Sequence, residues 1–175
     1  MSTNKGKMPL IDASHYRFAI VASRYNKKYV DALVRDAVKS LSGHGVDAEN
    51  IRLVRVPGAG EIPYVCNMLA ETDEYDAVIA LGVVIAGETP HHEIIAHSTA
   101  NALQQASMIS TVPIVNGIVV ANDEEQANAR TVGKIARGEE FAECAMEMAW
   151  HAAILLDELA DADERHDAEF KKGGK

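Results

Sequence analysis

Residues 87–91 place glycine, acidic, hydroxyl and imidazole groups directly after an apolar run, in the order Gly87-Glu88-Thr89-Pro90-His91. The imidazole of His91 titrates near neutral pH and can therefore transfer protons. If the segment after Pro90 is helical, its first backbone N–H groups and the Thr89 hydroxyl face one point, which suits an anion such as phosphate. The order predicts a site that combines proton transfer with anion binding. Taken alone, it is equally typical of an ordinary strand–turn–helix connection.

His91, His92, Glu93 and His97 together have the composition of a metal-binding cluster. Two histidine ligands on one helix face are four residues apart, whereas His92 and His97 are five apart, which rotates them roughly 140° around a helix. The glycines that precede them are not followed by Gly-Lys-Ser/Thr, and no G-x-G-x-x-G follows the first predicted strand. The sequence therefore predicts no metal site and no cofactor.

The composition of the chain limits the classes of protein to which it can belong. A chain of 175 residues with 47% hydrophobic and 25% charged residues is typical of one globular domain. Its net charge of −9 argues against nucleic acid or an anionic membrane as a partner, because no basic surface is available to neutralise phosphates. No apolar run approaches ~20 residues, and residues 1–12 lack the apolar core of a signal peptide, so a cytoplasmic protein is expected.

Apolar periodicity predicts an α/β protein. Strands are predicted at residues 16–23, 51–56, 77–85 and 114–120, and helices at 27–42, 63–70, 91–110 and 139–159, with a shorter helix from 122 through 130. This alternation predicts a four-stranded parallel sheet with helices on both faces. Residues 1–15 are expected to form a flexible arm, 16–159 a single domain and 160–175 a charged, disordered tail. Cys66 and Cys144 are expected to be buried reduced thiols.

The carboxyl ends of parallel strands meet at one edge of the sheet, where such folds bind ligands. The loops expected there carry Tyr25 and Asn26, residues 58–61, residues 87–91 and residues 116–123. Asn26 is also the expected N-cap of the first helix. Each polar residue has an ordinary structural explanation, with Tyr25 in packing, Glu61 in a first helical turn and Arg130 on a solvated surface. Because all of these residues are expected at one edge of the sheet, they favour a ligand-binding site there.

Four motifs support that interpretation: ASRYN at 22–26, PGAGEIP at 57–63, GVVIAGETPH at 82–91 and EQANAR at 125–130. In order and spacing they resemble the lumazine synthase family of riboflavin biosynthesis, over roughly residues 18–156. The resemblance implies a flavodoxin-like three-layer sandwich. It implies a cofactor-independent transferase that condenses 5-amino-6-(D-ribitylamino)uracil with 3,4-dihydroxy-2-butanone 4-phosphate to give 6,7-dimethyl-8-ribityllumazine. It also implies a homo-oligomer built from pentamers, with active sites between neighbouring subunits.

The resemblance also assigns roles to individual residues. It implies that Tyr25 stacks on the pyrimidine of the ribitylaminouracil and that Ala59, Gly60 and Glu61 lie along the ribityl chain. It implies that Val83, Val84 and Ile85 contact the pyrimidine edge, and that Asn116 reaches the pyrimidine from a neighbouring subunit. Phosphate binding is implied for Glu88, Thr89 and Arg130. His91 matches the catalytic histidine. The planar fork of an arginine suits a phosphate clamp.

The chain departs from the family pattern at several positions. Gly60 stands where an aromatic residue is usual, Asn116 where a phenylalanine is usual, and Ala86 where an arginine is usual. The link at residues 135–138 is one residue shorter and carries Arg137 in place of a lysine. These departures leave a second hypothesis open, a catalytically weakened homologue that binds a flavin- or pterin-like ligand or forms a shell scaffold. The sequence is compatible with a pentamer, a decamer and an icosahedral shell.

Overall fold

The computed structural model describes residues 8–173 of the chain, and side chains over residues 8–166. The strands are β1 (Phe18–Ser23), β2 (Ile51–Val56), β3 (Ala77–Ile85) and β4 (Ile114–Ala121). The helices are α1 (Lys27–Gly43), α2 (Ile62–Ala70), α3 (His91–Ser110), α4 (Glu124–Thr131) and α5 (Gly138–Gly173). A short 3-10 turn, Ala59–Glu61, joins β2 to α2. The predicted alternation of strands and helices is confirmed.

The four strands form one parallel sheet in the order β2-β1-β3-β4. This is the beginning of the flavodoxin-like order, so the predicted fold class is confirmed. Strand β1 is buried along its whole length and β3 over its first seven residues. Strand β4 alternates between buried and exposed residues, because it lies at an edge and only part of it is covered.

Each face of the sheet has its own apolar core. Phe18 and Ile20 of β1 point to the side covered by α1 and α5, where Leu33 and Met146 are fully buried. The alternate residues of β1, such as Val21, point to the side covered by α2 and α3. Helices α1 and α5 approach closely at Gly138, where a Cβ atom would lie 2.6 Å from the Leu33 carbonyl oxygen. Any larger residue at that position would therefore separate the two helices.

Two predictions about the chain termini need correction. Residues 1–7 lie outside the described part of the chain, but Ile11 and Ala13 are buried in the core, so the expected arm does not include them. Helix α5 continues to Gly173, whereas residues 160–175 were expected to be disordered. Residues 157–165 are exposed, but six of the nine are strong helix formers, namely two alanines, two glutamates, one leucine and one arginine. Among the described residues, no helix has the length and apolar character needed to cross a membrane.

The two cysteines differ in burial. Cys66 of α2 is fully buried, as predicted, and burial raises the pKa of its thiol. Cys144 of α5 is exposed, so its predicted burial is wrong. The side chains that fill the core beside it are Ala145 and Met146, and Cys144 falls on the other side of the helix.

Candidate active site

The carboxyl ends of β1, β2 and β3 open into a cleft of about 510 Å³. The loops after these strands and the first turn of α3 form its walls. Its lining includes the predicted residues Tyr25, Ala59, Gly60, Glu61, Val83, Val84, Ile85, Thr89 and His91. Asn26, Gly58, Gly87, His92 and Ile95 also line it. Groups from four separate stretches of sequence therefore face one volume of a size that suits a small molecule.

The loop after β2 is organised by a hydrogen bond between its ends. The backbone N–H of Gly58 donates to Glu61 Oε2 at 2.8 Å. A Cβ atom on Gly58 would lie 3.0 Å from that oxygen and 3.3 Å from Cδ2 of Tyr25. Glycine therefore allows the tyrosine ring to lie against the loop. The ring is 73% exposed, which leaves it available for stacking on a ligand.

Asn26 connects the loop after β1 to the end of β3. It occupies the N-cap position of α1, as predicted, but its side chain makes no capping hydrogen bond to the helix. Its backbone is left-handed, with φ of 54°, and its Nδ2 atom donates to the Val83 carbonyl oxygen at 2.8 Å. Asparagine tolerates this backbone conformation better than most residues. The bond fixes the loop that carries Tyr25 relative to the strand end.

The turn between β3 and α3 carries the proton-transfer and anion-binding candidates. Thr89 and His91 are exposed and line the cleft, while Glu88 is exposed in the same turn but does not line it. His92 is half-buried, and its Nδ1 atom lies 3.2 Å from the Thr89 carbonyl oxygen. Sequence reasoning considered His92 only as a metal ligand. A helical side chain leans toward the N-terminus of its helix, and that geometry could have placed His92 near the turn.

Two predicted residues lie elsewhere. Asn116 and Arg130 line a separate cavity of about 130 Å³ between β4, α4 and α5, which we call the edge cavity. Arg137 and Phe141 also line it. The guanidinium of Arg130 donates to the Gln126 carbonyl oxygen at 3.3 Å. Arg137 forms a two-pronged ion pair with Glu140, at 3.0 and 2.8 Å. Within one chain, the cleft and the edge cavity share no lining residue.

Within the described residues, the histidines and cysteines do not form a metal-binding group. Over the part of the chain that the structure describes, no three His, Cys, Asp or Glu side chains are grouped as metal ligands would be. His91 and His92 face the cleft, whereas His97 is exposed on α3 and lines neither cavity. The buried thiol of Cys66 is held in its protonated form by its raised pKa, which disfavours it as a nucleophile.

These features define an α/β protein with a small-molecule site beyond the carboxyl ends of its parallel strands. Comparison with known proteins identifies the family. The family model described as 6,7-dimethyl-8-ribityllumazine synthase matches residues 15–152, and the chain belongs to that family. The match leaves residues 153–173, the last turns of α5, outside the family region.

Individual relatives support the same assignment. The chain is similar to the 6,7-dimethyl-8-ribityllumazine synthase of Leuconostoc mesenteroides subsp. mesenteroides, at 39% identity over 81% of this chain and 90% of the relative. The protein of the same name from Polaromonas sp. strain JS666 is 38% identical over 89% of this chain and 97% of its own length. The protein of that name from Xanthomonas oryzae pv. oryzae is 42% identical over 75% and 86%, respectively.

Proposed function

We propose that the chain condenses 5-amino-6-(D-ribitylamino)uracil with 3,4-dihydroxy-2-butanone 4-phosphate, giving 6,7-dimethyl-8-ribityllumazine, phosphate and water. Family membership supports this proposal, and the observation that carries it is the cleft in which Tyr25, Glu61, Thr89 and His91 face one volume. The chemistry needs an aromatic surface for a pyrimidine, acceptors for ribityl hydroxyls, a proton carrier and an anion site. These four side chains supply one group of each kind.

The proposed reaction begins when the amine of the pyrimidine adds to the ketone and water is lost to give an imine. Phosphate then leaves, and the ring closes. These steps depend on orientation and proton transfer, for which His91 is the proposed carrier. These steps transfer no electrons to an external acceptor and so need no redox cofactor, and we propose, as the family resemblance implies, that the enzyme uses no metal either.

Binding roles follow from position around the cleft. We propose that the pyrimidine stacks on Tyr25 and meets the backbone of Val83, Val84 and Ile85, where the Val83 carbonyl oxygen is already paired with Asn26. The ribityl chain would then extend along Ala59 and Gly60 toward Glu61. Gly60 leaves room here, since the nearest atom to a Cβ at that position would be Ile95 Cδ1, at 3.7 Å. The substrate phosphate would lie at Glu88 and Thr89.

We propose further that the active site is completed by a neighbouring subunit. Arg130 and Asn116, which the resemblance assigns to phosphate and pyrimidine, lie in the edge cavity and not in the cleft of their own chain. Strand β4 lies at the edge of the sheet, where a neighbour could cover it. A homo-oligomer built from pentamers, located in the cytoplasm, would place the edge cavity of one subunit beside the cleft of the next.

The test of function is direct. Purified protein incubated with both substrates should produce the lumazine, which is followed by its absorbance and fluorescence. Tight binding of the pyrimidine without product would instead favour a ligand-binding module. A large particle with neither binding nor turnover would favour a shell scaffold. Static light scattering on the same sample distinguishes a pentamer, a decamer and a shell by mass.

A further inference from the structure

Among the titratable residues that line the cleft, His92 has no role in the proposed reaction. It is the second residue of α3, and its side chain is only 18% exposed. It lines the cleft beside Thr89 and His91, and its Nδ1 atom lies 3.2 Å from the Thr89 carbonyl oxygen. Because a carbonyl oxygen only accepts, Nδ1 must carry the hydrogen in this contact. In its neutral form, His92 is therefore fixed as the Nδ1–H tautomer.

The accepting oxygen belongs to an unusual peptide group. The next residue is Pro90, so the Thr89 carbonyl is joined to a nitrogen that has no N–H to offer an anion. A carbonyl oxygen turned toward a phosphate would repel it, because both carry negative charge. The hydrogen bond that His92 Nδ1 donates satisfies this oxygen and keeps it directed toward α3. The Thr89 hydroxyl and the backbone N–H groups of the turn can then face the cleft.

Other contacts of the imidazole are weaker. Glu93 Oε1 lies 4.0 Å from Nε2 of His92, beyond hydrogen-bond distance, and the Glu93 side chain is 67% exposed. The backbone of the first α3 turn is closed by Glu93 N–H donating to the Pro90 carbonyl at 3.0 Å, a bond that does not involve the imidazole. The contact with Thr89 is thus the specific interaction of this side chain.

We propose that His92 is a positioning residue that holds the Thr89 carbonyl, and with it the turn from Gly87 to Pro90, in the conformation that binds the substrate phosphate. This inference rests on the proposed function, because it concerns the phosphate subsite of that reaction. His92 acts through Thr89 and does not itself transfer a proton to the substrate.

Two variants separate the hydrogen bond from the bulk of the side chain. His92→Phe keeps a ring of similar shape but removes the donor, while His92→Asn places an amide N–H at the position of Nδ1. A neutral hydrogen bond of ordinary strength corresponds to roughly a three- to ten-fold change in an equilibrium constant. His92→Phe should therefore raise KM for the phosphorylated ketone by about that factor. KM for the pyrimidine should stay within about twofold, and His92→Asn should restore most of the loss.

The control is His97→Phe, on the same helix but outside both cavities, which should leave both KM values unchanged. Circular dichroism and light scattering on every variant show whether fold and assembly are kept. Equal increases in both KM values for His92→Phe, no increase at all, or no rescue by His92→Asn would overturn the positioning role.

A second measurement keeps this inference separate from the proposed function. Inorganic phosphate is titrated into the intact oligomer by isothermal calorimetry. Wild type and His92→Asn should bind it similarly, and His92→Phe should bind it about three to ten times more weakly. If the wild type makes no lumazine but shows this pattern, the reaction is wrong and the positioning role holds. If the wild type binds no phosphate, or binds it as His92→Phe does, the positioning role is wrong.

Discussion

The cleft and the edge cavity differ in how their polar side chains are held. The cleft includes hydrogen bonds between parts of the chain that are far apart in sequence, such as Asn26 to Val83 across 57 residues and Thr99 to Ala59 across 40. In the edge cavity, Arg130 donates to the Gln126 carbonyl four residues earlier in the chain, and Arg137 donates to Glu140 three residues later. The comparison indicates that the cleft is preorganised within one chain. The edge cavity instead lies beside the edge strand β4, where the proposed neighbouring subunit would contact it.

The comparison is tested most directly by mixing two variants that are each strongly impaired at low concentrations of the ketone. His91→Ala damages the cleft and Arg130→Ala damages the edge cavity. If each site uses the cleft of one subunit and the edge cavity of the next, random mixed rings contain intact sites at about a quarter of their interfaces. Activity at low concentrations of the ketone should therefore reappear after subunits are dissociated and reassembled together.

The matched control mixes His91→Ala with Thr89→Ala. Both substitutions lie in the cleft, so no mixed interface contains an intact site and activity should stay low. No recovery in the test mixture, while light scattering shows mixed rings, would mean that one chain supplies the whole site. Recovery in the control would mean that Thr89 and His91 of one active site come from different chains.

The largest change in a single kinetic constant is expected for His91→Ala alone. Loss of the proposed proton carrier should lower kcat by roughly a hundred-fold or more, because general acid–base catalysis contributes on that order. Steady-state kinetics at saturating substrates measures it. His97→Ala is the control, since that imidazole is exposed on the same helix and lines neither cavity. His92 does not serve as a control, because it lines the cleft. Unchanged kcat in a folded His91→Ala protein would contradict the assignment.

Arg130→Ala tests the phosphate role of the edge cavity. A charge-assisted contact to phosphate contributes about 1.5–3 kcal/mol, so KM for the phosphorylated ketone should rise roughly ten- to a hundred-fold. KM for the pyrimidine should change much less. Arg130→Lys keeps the charge but loses the planar fork, and it should fall between wild type and Arg130→Ala. A similar rise in both KM values would indicate that Arg130 supports assembly and does not bind phosphate.

Gly58→Ala tests the preorganisation of the cleft. The new Cβ would lie 3.0 Å from Glu61 Oε2 and 3.3 Å from the Tyr25 ring, so one or both must move. KM for the pyrimidine should rise about three- to ten-fold, because a small displacement weakens both stacking and hydroxyl recognition. Gly43→Ala is the matched control, since a Cβ there meets no atom within 4 Å. Equal kinetics for the two variants would show that the loop adapts without cost.

The smallest effect concerns the support beneath the cleft. Arg55 donates to Asp31 at 2.7 Å and to the Ser23 carbonyl at 3.4 Å, which ties β2 to α1 and to the end of β1. The hydrogen bond from Lys27 and the charge of Arg55 lower the pKa of the Asp31 carboxyl below its usual value of 3.8. A carboxyl whose pKa is lower in the folded state stabilises the fold above its unfolded pKa. This stabilisation is lost as the pH falls through the folded pKa.

Asp31→Asn should therefore lower the free energy of unfolding at pH 7 by about 0.5 kcal/mol, as for other partly exposed ion pairs. The difference from wild type should shrink as the pH is lowered from 7 to well below 3.8, through the lowered pKa of Asp31. Urea denaturation followed by circular dichroism at both pH values measures it. A difference that is the same at both values would assign the effect to packing and not to charge.

The amino-acid sequence by itself determined the elements and the edge on which they meet. Apolar runs such as residues 77–85 fixed the buried strands, and the alternation with helices fixed a parallel sheet. Because parallel strands end on one side, the sequence also placed Tyr25, Glu61 and His91 together before any contact was known. These predictions depend on periodicity and chain direction, which are local properties of a sequence.

Only the tertiary structure decided where individual side chains point. The left-handed backbone of Asn26 turned its amide to Val83 and away from the helix it precedes. The fold also brought His92 to Thr89, left Cys144 exposed and separated Asn116 and Arg130 from the cleft of their own chain. Side-chain direction depends on a residue's own φ and on neighbours supplied by distant segments. A one-dimensional pattern contains neither, so such contacts are decided only when the segments pack together.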